Sequence, residues 1–244
     1  MKPTVLVTGA SRGIGLATAR LFAANGHPTV LNYNCSREPA FQAASEINAS
    51  GGMAIAVKAD VSEPEEVAAM FEAANEQFGG VDILVNNAAI ARQSLFTDVD
   101  YDEWRRTFSV NVDGMFLCCK AALPYMLRGH RGNIINISSM WGQVGASCEV
   151  LYSATKAAVI GLTKALAQEV GPSGIRVNCV APGVIDTEMN SHLSPDDLRA
   201  LADNTPLMRL GTPEEVAGAI YFLASDNASF ITGQVICPNG GYIT

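Results

Sequence analysis

Two residues with complementary acid–base chemistry, Tyr152 and Lys156, stand four positions apart in a stretch with a helical pattern. At this spacing both side chains project from one face of a helix. A tyrosine with its usual pKa of about 10 is mostly protonated at neutral pH and is a poor base. A nearby lysine ammonium favours the phenolate and lowers the tyrosine pKa. The pair predicts proton transfer through Tyr152, although such a spacing also arises by chance.

A hydroxyl close to this pair is predicted at Ser139, which follows the β-branched run Asn133–Ile137. Doubly wound sheets bind their ligands beyond the carboxyl ends of their strands. There the Ser139 hydroxyl can hold a substrate oxygen for Tyr152, and simple hydrogen bonding at a strand end is the alternative. Ser138 points the other way on an extended chain, so we expect a structural role for it.

A glycine-rich segment, Thr8–Gly15, follows the first β-branched run and opens a helix. Glycines let the chain turn tightly and bring backbone N–H groups and a helix N-terminus close to a pyrophosphate. The spacing Gly-x-x-x-Gly-x-Gly differs from the commonest dinucleotide fingerprint, and a plain β–α turn is the alternative. The strand before and the helix after favour phosphate binding, with these candidate contacts: Gly9, Ser11, Arg12, Gly13, Ile14 and Gly15.

The end of the second strand bears on the choice of dinucleotide, because NAD enzymes place an acid there on the ribose 2′-hydroxyl. Here the residues Asn32–Arg37 include no acid. Arg12 and Arg37, with Ser36 beside Arg37, can instead meet a 2′-phosphate through charge-assisted contacts. Either arginine can equally be a solvated surface residue. The sequence favours NADP(H).

The elements that must position these residues alternate along the chain, which indicates a parallel sheet covered on both faces. Ser62 with Glu65 resembles a capping box, and Pro213 takes the first position of a helix after Thr212. Strands are predicted at Thr4–Val7, Thr29–Leu31, Ala54–Lys58, Ile83–Val85, Asn133–Ile137, Arg176–Val180 and Gln234–Cys237. Helices are predicted at Gly13–Asn25, Glu38–Ser50, Glu63–Phe78, Tyr101–Leu127, Tyr152–Val170 and Pro213–Ser225.

The fold class is therefore α/β: a Rossmann-type, doubly wound parallel sheet of about seven strands. Residues 1–244 form one dinucleotide-binding catalytic domain. The alternation of predicted strands and helices is interrupted only at 185–211. This segment contains two prolines and a short polar helical pattern, Ser194–Ala202. A long excursion inside a compact domain is usually a functional lid.

Composition excludes several other functions. Hydrophobic residues make up 48% and charged residues 16%, which leaves little room for disorder. The net charge of −8 has no basic block, so nucleic acid and anionic membrane surfaces are poor partners. No apolar stretch reaches the ~18 residues of a membrane span, and no secretory signal opens the chain. The six cysteines lack metal-ligand spacing, and we interpret them as apolar fillers in a reducing cytoplasm, with no metal site.

Several motifs occur in a fixed order along essentially the whole chain: Thr8–Gly15, Asn86-Asn87-Ala88, Asn111, Ser139, Tyr152-x-x-x-Lys156 and Pro182-Gly183. In order and spacing they resemble the motif series of the short-chain dehydrogenase/reductase family. Within that family, three stretches are most similar to bacterial 3-oxoacyl-[acyl-carrier-protein] reductases: Ile134–Ser139, Ser153–Ala157 and Ile231–Gln234.

The resemblance implies NADPH-dependent reduction of a ketone to a secondary alcohol by a homotetramer. Tyr152 becomes the general acid, Lys156 lowers its pKa and holds the nicotinamide ribose, Ser139 orients the carbonyl, and Asn111 supports a water-linked proton relay. Asp60 as a helix N-cap and Asn111 as an ordinary buried amide are the alternatives. The resemblance implies these further cofactor contacts: Asp60, Val61, Asn87, Ala88, Pro182, Gly183, Ile185 and Thr187.

Two departures from the family pattern concern the substrate and its carrier. Ala89 replaces a glycine and adds a methyl beside the cofactor path. Where acyl-carrier-protein reductases carry arginines that grip the acidic carrier, this chain has His130 and Ser173. Nearby arginines can substitute, namely Arg128, Arg131 and Arg176. Glu149, near the expected substrate pocket, adds a negative charge that would repel an acidic carrier.

Three functions compete at this point. A 3-oxoacyl-thioester reductase, with acyl carrier protein as a candidate partner, leads. A reductase or dehydrogenase of another small ketone or alcohol, such as a sugar, steroid or xenobiotic, is second. A cofactor-binding protein without turnover is third, and the intact set of Asn111, Ser139, Tyr152 and Lys156 argues against it.

Overall fold

The computed structural model describes residues 2–191 and 193–243. Within these residues one parallel sheet contains seven strands in the order β3-β2-β1-β4-β5-β6-β7. Apolar, β-branched sequences form most of it, as expected for strands that are covered on both faces. The strands are β1 Val5–Val7, β2 Thr29–Tyr33, β3 Ala54–Lys58, β4 Ile83–Asn86, β5 Gly132–Ile137, β6 Ile175–Val180 and β7 Val235–Ile236.

Helices cover the sheet on both faces and form two separate cores. α1, α2 and α9 pack on one face, where Val5, Val7 and Phe22 are buried. α3, α5 and α7 pack on the other, around Leu6 and Met70. The helices are α1 Gly13–Ala24, α2 Arg37–Ala49, α3 Pro64–Phe78, α4 Tyr101–Phe108, α5 Gly114–Gly129, α6 Trp141–Val144, α7 Val150–Val170, α8 Pro195–Asp203 and α9 Pro213–Ala224.

The strand order reverses beside β1, which pairs with β2 on one side and with β4 on the other. Because crossovers leave this point in opposite directions, a crevice opens beyond the carboxyl ends of the central strands. The glycine-rich segment after β1 and the residues after β4 and β5 all reach this edge. The doubly wound α/β architecture predicted from the sequence is confirmed.

Most predicted elements end within two residues of the observed bounds, but two predictions were wrong in detail and one helix was missed. The single helix predicted at Tyr101–Leu127 is two helices joined by a π-helical segment, Ser109–Asp113. α6 was not predicted. The capping box at Ser62 does not form, because α3 begins one residue later, after Glu63, and the Ser62 hydroxyl donates to Asp60 instead.

One segment, Val150–Ser173, is long and apolar enough to cross a membrane by length and composition, which the sequence analysis had not expected. It consists mainly of α7, which packs against β5, β6 and α6. Core helices of globular proteins have the same properties. Its place against the sheet therefore identifies α7 as a core helix.

Candidate active site

Three predicted catalytic side chains meet at the carboxyl end of β5. The Lys156 ammonium lies 5.4 Å from the centre of the Tyr152 ring and donates a 2.8 Å hydrogen bond to the Ile137 carbonyl. The Ser139 hydroxyl hydrogen-bonds to the phenol of Tyr152 and accepts from the backbone N–H of Trp141 at 3.2 Å. The helical spacing on α7 and the end of β5 thus bring two hydroxyls and one amine together.

The protonation of this group depends on burial and on the neighbouring side chains. Burial raises the pKa of Tyr152 above its ordinary value, the Glu149 carboxylate raises it further, and the hydrogen bond with Ser139 lowers it only in part. Burial also lowers the pKa of Lys156 to about 8. Tyr152 therefore keeps its proton at neutral pH, which is the form a proton donor requires. The lowering of the Tyr152 pKa by Lys156 stays a prediction.

Asn111 lies behind this group, in the π-helical segment, and is 1% exposed. Its amide accepts from the Ile90 N–H at 2.8 Å and donates to the Ile90 carbonyl at 2.9 Å and to the Thr155 hydroxyl at 3.1 Å. The side chain therefore fastens the chain after β4 to α7. These contacts fit a buried structural amide, and its part in a proton relay stays a prediction.

The glycine-rich segment forms a cradle at the start of α1. Gly9 and Gly13 have φ values of 63° and 53°, in the region that favours glycine. A Cβ on Gly15 would overlap the Gly9 carbonyl, and the Asn87 amide donates to the Thr8 and Gly9 carbonyls at 3.0 and 3.1 Å. The backbone is thus fixed with its helix N-terminus open to the crevice, an arrangement that fits the phosphates of a dinucleotide.

Two cavities continue from this cradle and share a border at Ile14, Asn87, Ala89 and Thr187. One, of about 520 Å³, contains the acid–base group and these predicted residues: Ile14, Asn87, Ser139, Tyr152, Lys156, Pro182, Gly183, Ile185 and Thr187. The other, of about 490 Å³, contains these: Gly9, Ser11, Arg12, Gly13, Ile14, Ser36, Asp60, Val61, Asn87, Ala88 and Thr187. Together they form one groove that joins the phosphate cradle to the acid–base group.

Three predicted residues do not line this groove. Gly15 lies beneath the cradle, and Asn111 is enclosed behind it. Arg37 is exposed at the start of α2, where its guanidinium lies 5.2 Å from the centre of the Phe41 ring. Of the two candidate arginines, Arg12 alone lines the cavity.

A charged residue that the sequence analysis missed, Arg106 on α4, also lines the second cavity. It donates to the Asp60 carboxylate and to the Ser62 hydroxyl, both at 2.9 Å. Burial raises the pKa of Asp60, but hydrogen bonds from Ser62 and Arg106 outweigh it and lower that pKa to about 2. Asp60 is therefore an ionised carboxylate within a cluster, not the N-cap of α3. No local pattern links residues this far apart in the chain.

Comparisons with known proteins agree with this geometry. A family model described as Enoyl-(Acyl carrier protein) reductase matches residues 9–243. The 3-oxoacyl-[acyl-carrier-protein] reductase FabG of Staphylococcus aureus is 44% identical over 99% of this chain and 98% of its own length. The chain belongs to the short-chain dehydrogenase/reductase family. It is thereby an oxidoreductase with a nicotinamide cofactor.

Two further relatives are named for the same activity. The 3-oxoacyl-[acyl-carrier-protein] reductase of Synechocystis sp. is 45% identical over 98% of this chain and 96% of its own. A crystal structure of the 3-oxoacyl-[acyl-carrier protein] reductase of Brucella melitensis superposes with a TM-score of 0.94 at 36% identity. It covers 100% of this chain, and 92% of that chain is matched.

Several side chains outside the family motifs shape the substrate cavity. Trp141 and Met189 line the cavity, and the Trp141 ring packs edge-on against Tyr242 with centroids 5.6 Å apart. Glu149 lines it as expected, and Ala89 borders both cavities. The cavity thus has both apolar and polar walls, with one carboxylate beside Tyr152.

The three arginines predicted to replace the family's carrier-binding arginines differ in exposure. Arg176 is half-buried and donates to the carbonyls of Leu223, Ser225 and Ile231. Arg131 pairs with Asp82 at 3.2 Å, but its side chain is 71% exposed, and Arg128 is exposed as well. Arg176 is thus held within the fold, and a carrier dock at these arginines stays a prediction.

The cysteines divide into two groups. Cys118, Cys119 and Cys179 are buried, as expected of apolar fillers, whereas Cys35 is exposed and Cys148 and Cys237 are partly exposed. The filler interpretation therefore holds for three of the six. Across residues 2–191 and 193–243, no group of three or more metal-ligating side chains is suited to hold an ion.

Proposed function

We propose that this protein reduces the ketone of a 3-oxoacyl thioester to a secondary alcohol, with NADPH as the preferred cofactor. The observation that carries the proposal is the meeting of the Ser139 and Tyr152 hydroxyls in a cavity continuous with the phosphate cradle. The activity for which its relatives at 44% and 45% identity are named supports the choice of substrate.

Each residue has a defined part in the reaction. A nicotinamide dinucleotide bound in the cradle would supply the hydride for the reduction. Ser139 and Tyr152 donate hydrogen bonds to the ketone oxygen, and Tyr152 gives up its proton as charge develops there. The Lys156 ammonium has three N–H donors, and one of them donates to the Ile137 carbonyl. The other two can donate to the ribose hydroxyls and to the phenolate.

The preference for NADPH rests on the end of β2. The residues after β2 that line the cavity, Asn34 and Ser36, include no acid, and the exposed Arg12 lines the same space. The Asp60 carboxylate, which accepts a hydrogen bond from Asn34, is paired with Arg106. A bidentate, charge-assisted contact from Arg12 is the chemistry that selects the phosphate. Arg37 can contact the 2′-phosphate only if its side chain moves away from the Phe41 ring.

The segment 185–211 serves as the substrate lid of this single catalytic domain. Its ends are tied by a bridge between Ile185 and Gly211, and α8 lies between them. Thr187 and Met189 from the same segment line the substrate cavity. A hinged excursion of this kind excludes water when it closes over a substrate.

The association and location of the protein are part of the same proposal. We expect a cytoplasmic homotetramer, as the family resemblance implies. Exposed apolar side chains on α5, Phe116 at 50% and Leu127 at 41%, support association through this helix.

A second function, action on another small ketone or alcohol, is favoured by one observation. The Glu149 carboxylate lies in the substrate cavity beside Tyr152. A carboxylate accepts hydrogen bonds from substrate hydroxyls, whereas it repels the acidic surface of a carrier protein. A polyhydroxylated substrate would therefore suit this wall of the cavity.

One experiment separates the two functions. NADPH oxidation is followed by absorbance with acyl-carrier thioesters, small acyl thioesters and non-acyl ketones side by side. We expect the highest kcat/KM with 3-oxoacyl thioesters. Tyr152→Phe should keep the affinity for NADPH and lose at least ~10²-fold in kcat, the scale of a missing general acid. Better turnover of hydroxylated ketones would favour the second function, and near-normal activity of Tyr152→Phe would contradict both.

A further inference from the structure

One wall of the substrate cavity, at Trp141, is supported from outside by a ring near the C-terminus. Trp141 lines the cavity, and its ring meets that of Tyr242 at a centroid distance of 5.6 Å and an interplanar angle of 89°. Among the residues that the structure describes, those that line the cavity do not include Tyr242. The Tyr242 ring therefore lies behind Trp141 and supports it as an edge-to-face partner.

The place of Trp141 matters because it is next to the residue that holds the ketone. The backbone N–H of Trp141 donates to the Ser139 hydroxyl at 3.2 Å, and Ser139 binds the ketone oxygen in the proposed reaction. A substituent on the carbon beside the ketone therefore comes close to Trp141. The position of the indole decides how much space that substituent has.

The turn that carries Tyr242 is fixed to the fold on both sides. The Asn239 side chain is 8% exposed and donates to the Ile243 carbonyl at 2.9 Å, so its hydrogen bond spans Tyr242. The Gly240 carbonyl accepts from the Leu207 N–H at 3.2 Å, which ties the same turn to the lid segment. The Tyr242 ring is thus anchored well enough to hold its neighbour in one place.

The backbone around Trp141 is held independently of this ring contact. The Gly142 N–H donates to the Ser139 carbonyl at 2.9 Å. A Cβ on Gly142 would lie 2.7 Å from the carbonyl carbon of Lys156, so the start of α6 packs directly against α7. Loss of the Tyr242 ring would therefore free the Trp141 side chain without displacing the N–H that orients Ser139.

We propose that Tyr242 is a positioning residue that acts through Trp141: it fixes the width of the substrate cavity beside the ketone and so favours ketones that are unbranched next to the carbonyl. The inference rests on the proposed ketone reduction and applies to acyl thioesters and to other small ketones alike. Without the Tyr242 ring, the indole loses its partner on the outer side and can move outward, which enlarges the cavity.

The test compares kcat/KM for a small linear 3-oxoacyl thioester with that for its 2,2-dimethyl derivative, on the full chain with NADPH. The intrinsic reactivities of the two substrates cancel when this ratio is compared between variants. In Tyr242→Ala we expect the preference for the linear thioester to fall by ~10-fold, the scale of one or two methyl groups in a closely fitting pocket. The kcat for the linear thioester should stay within ~3-fold of the native value, because Ser139 keeps its orientation.

Two control variants separate this role from a general loss of packing. Tyr242→Phe retains the ring and should keep the native ratio. Tyr221→Ala removes another partly buried ring, which lies 5.1 Å from that of Phe22 and outside the cavity, and should also keep it. An unchanged ratio in Tyr242→Ala, or an equal change in Tyr221→Ala, would overturn the inference.

Tryptophan fluorescence provides a second readout that needs no substrate. The chain has two tryptophans, so Trp104→Phe leaves Trp141 as the only one. In this background Tyr242→Ala should raise acrylamide quenching of Trp141 by ~2-fold or more, and unchanged quenching would overturn the inference alone. If the native protein reduces simple ketones but no thioester, the proposed substrate falls, and a linear ketone with its 2,2-dimethyl derivative decides the inference. If it reduces no ketone, the proposed function and the inference fall together.

Discussion

At the scale of single residues, the acid–base group depends on the balance of charges around Tyr152. Its phenol is buried beside the Glu149 carboxylate, and both effects favour the protonated form. Burial lowers the pKa of the neighbouring Lys156 to about 8, at which the ammonium still predominates at neutral pH. The chain's own groups thus keep Tyr152 protonated, the form in which reduction begins.

Glu149→Gln tests this balance through the pH dependence of the reverse reaction. Alcohol oxidation needs the phenolate of Tyr152, so its rate rises with pH as the phenol loses its proton. The carboxylate raises that pKa, so its removal should lower the pKa and shift the rising limb to lower pH by up to ~1 unit, or about 10-fold in rate on the limb. The pH profile of kcat for oxidation measures the shift. Glu169→Gln, on an exposed site at the far end of α7, is the matched control, and a shift to higher pH would contradict the charge assignment.

The sequence predicted the residues of this site whose relationships are local. Tyr152 and Lys156 lie one helical turn apart, and the cradle glycines lie within one turn of chain, so spacing alone brings them together. Arg106 and Trp141 reach the groove only through packing of α4 and of the short α6, which no local pattern specifies. The Tyr152 pKa depends on burial, and burial is a property of the folded chain.

At the scale of elements, the interruption between α4 and α5 matters most for the site. Hydrophobic periodicity predicted one helix there, because a π-helical segment changes the hydrogen bonding without changing the overall pattern. The extra residue in the turn directs Asn111 inward, where its amide holds Ile90 and Thr155. The strands of the sheet, in contrast, were nearly all predictable, because β-branched runs and helix starts are patterns of neighbouring residues.

Asn111→Ala tests whether this residue is primarily a structural clamp. The change removes three hydrogen bonds from a site that is 1% exposed and leaves Ile90 without its partners. We expect the free energy of unfolding in urea to fall by about 1–3 kcal/mol, the cost of unpaired buried polar groups. Asn75→Ala, on the exposed face of α3, should change it by less than about 0.5 kcal/mol. Unchanged stability with a large loss of kcat would instead favour the proton-relay role.

At the scale of the whole molecule, the direction of the parallel strands separates the substrate pocket from the basic residues before β5. Arg128 precedes the start of β5, whereas Ser139 follows its end. The six residues of β5 span roughly 20 Å at ~3.3 Å per residue, so the two sites lie at opposite edges of the sheet. A carrier docked at Arg128 would therefore lie about the length of β5 away from the pocket of the same subunit.

Charge reversal at two arginines therefore shows where an acidic carrier docks. Arg92 lines the substrate cavity, is 71% exposed and pairs with Glu103 at 3.1 Å, so it is the arginine best placed at the mouth. We expect Arg92→Glu to raise KM for acyl-carrier substrates by ~2–5-fold, the scale of an exposed charge pair, while small-thioester KM stays unchanged. The difference should shrink as salt rises above physiological strength. Arg128→Glu should leave both KM values unchanged if docking occurs at the mouth of the same subunit. A selective rise in carrier KM for Arg128→Glu, with none for Arg92→Glu, would contradict docking at the mouth of the cavity.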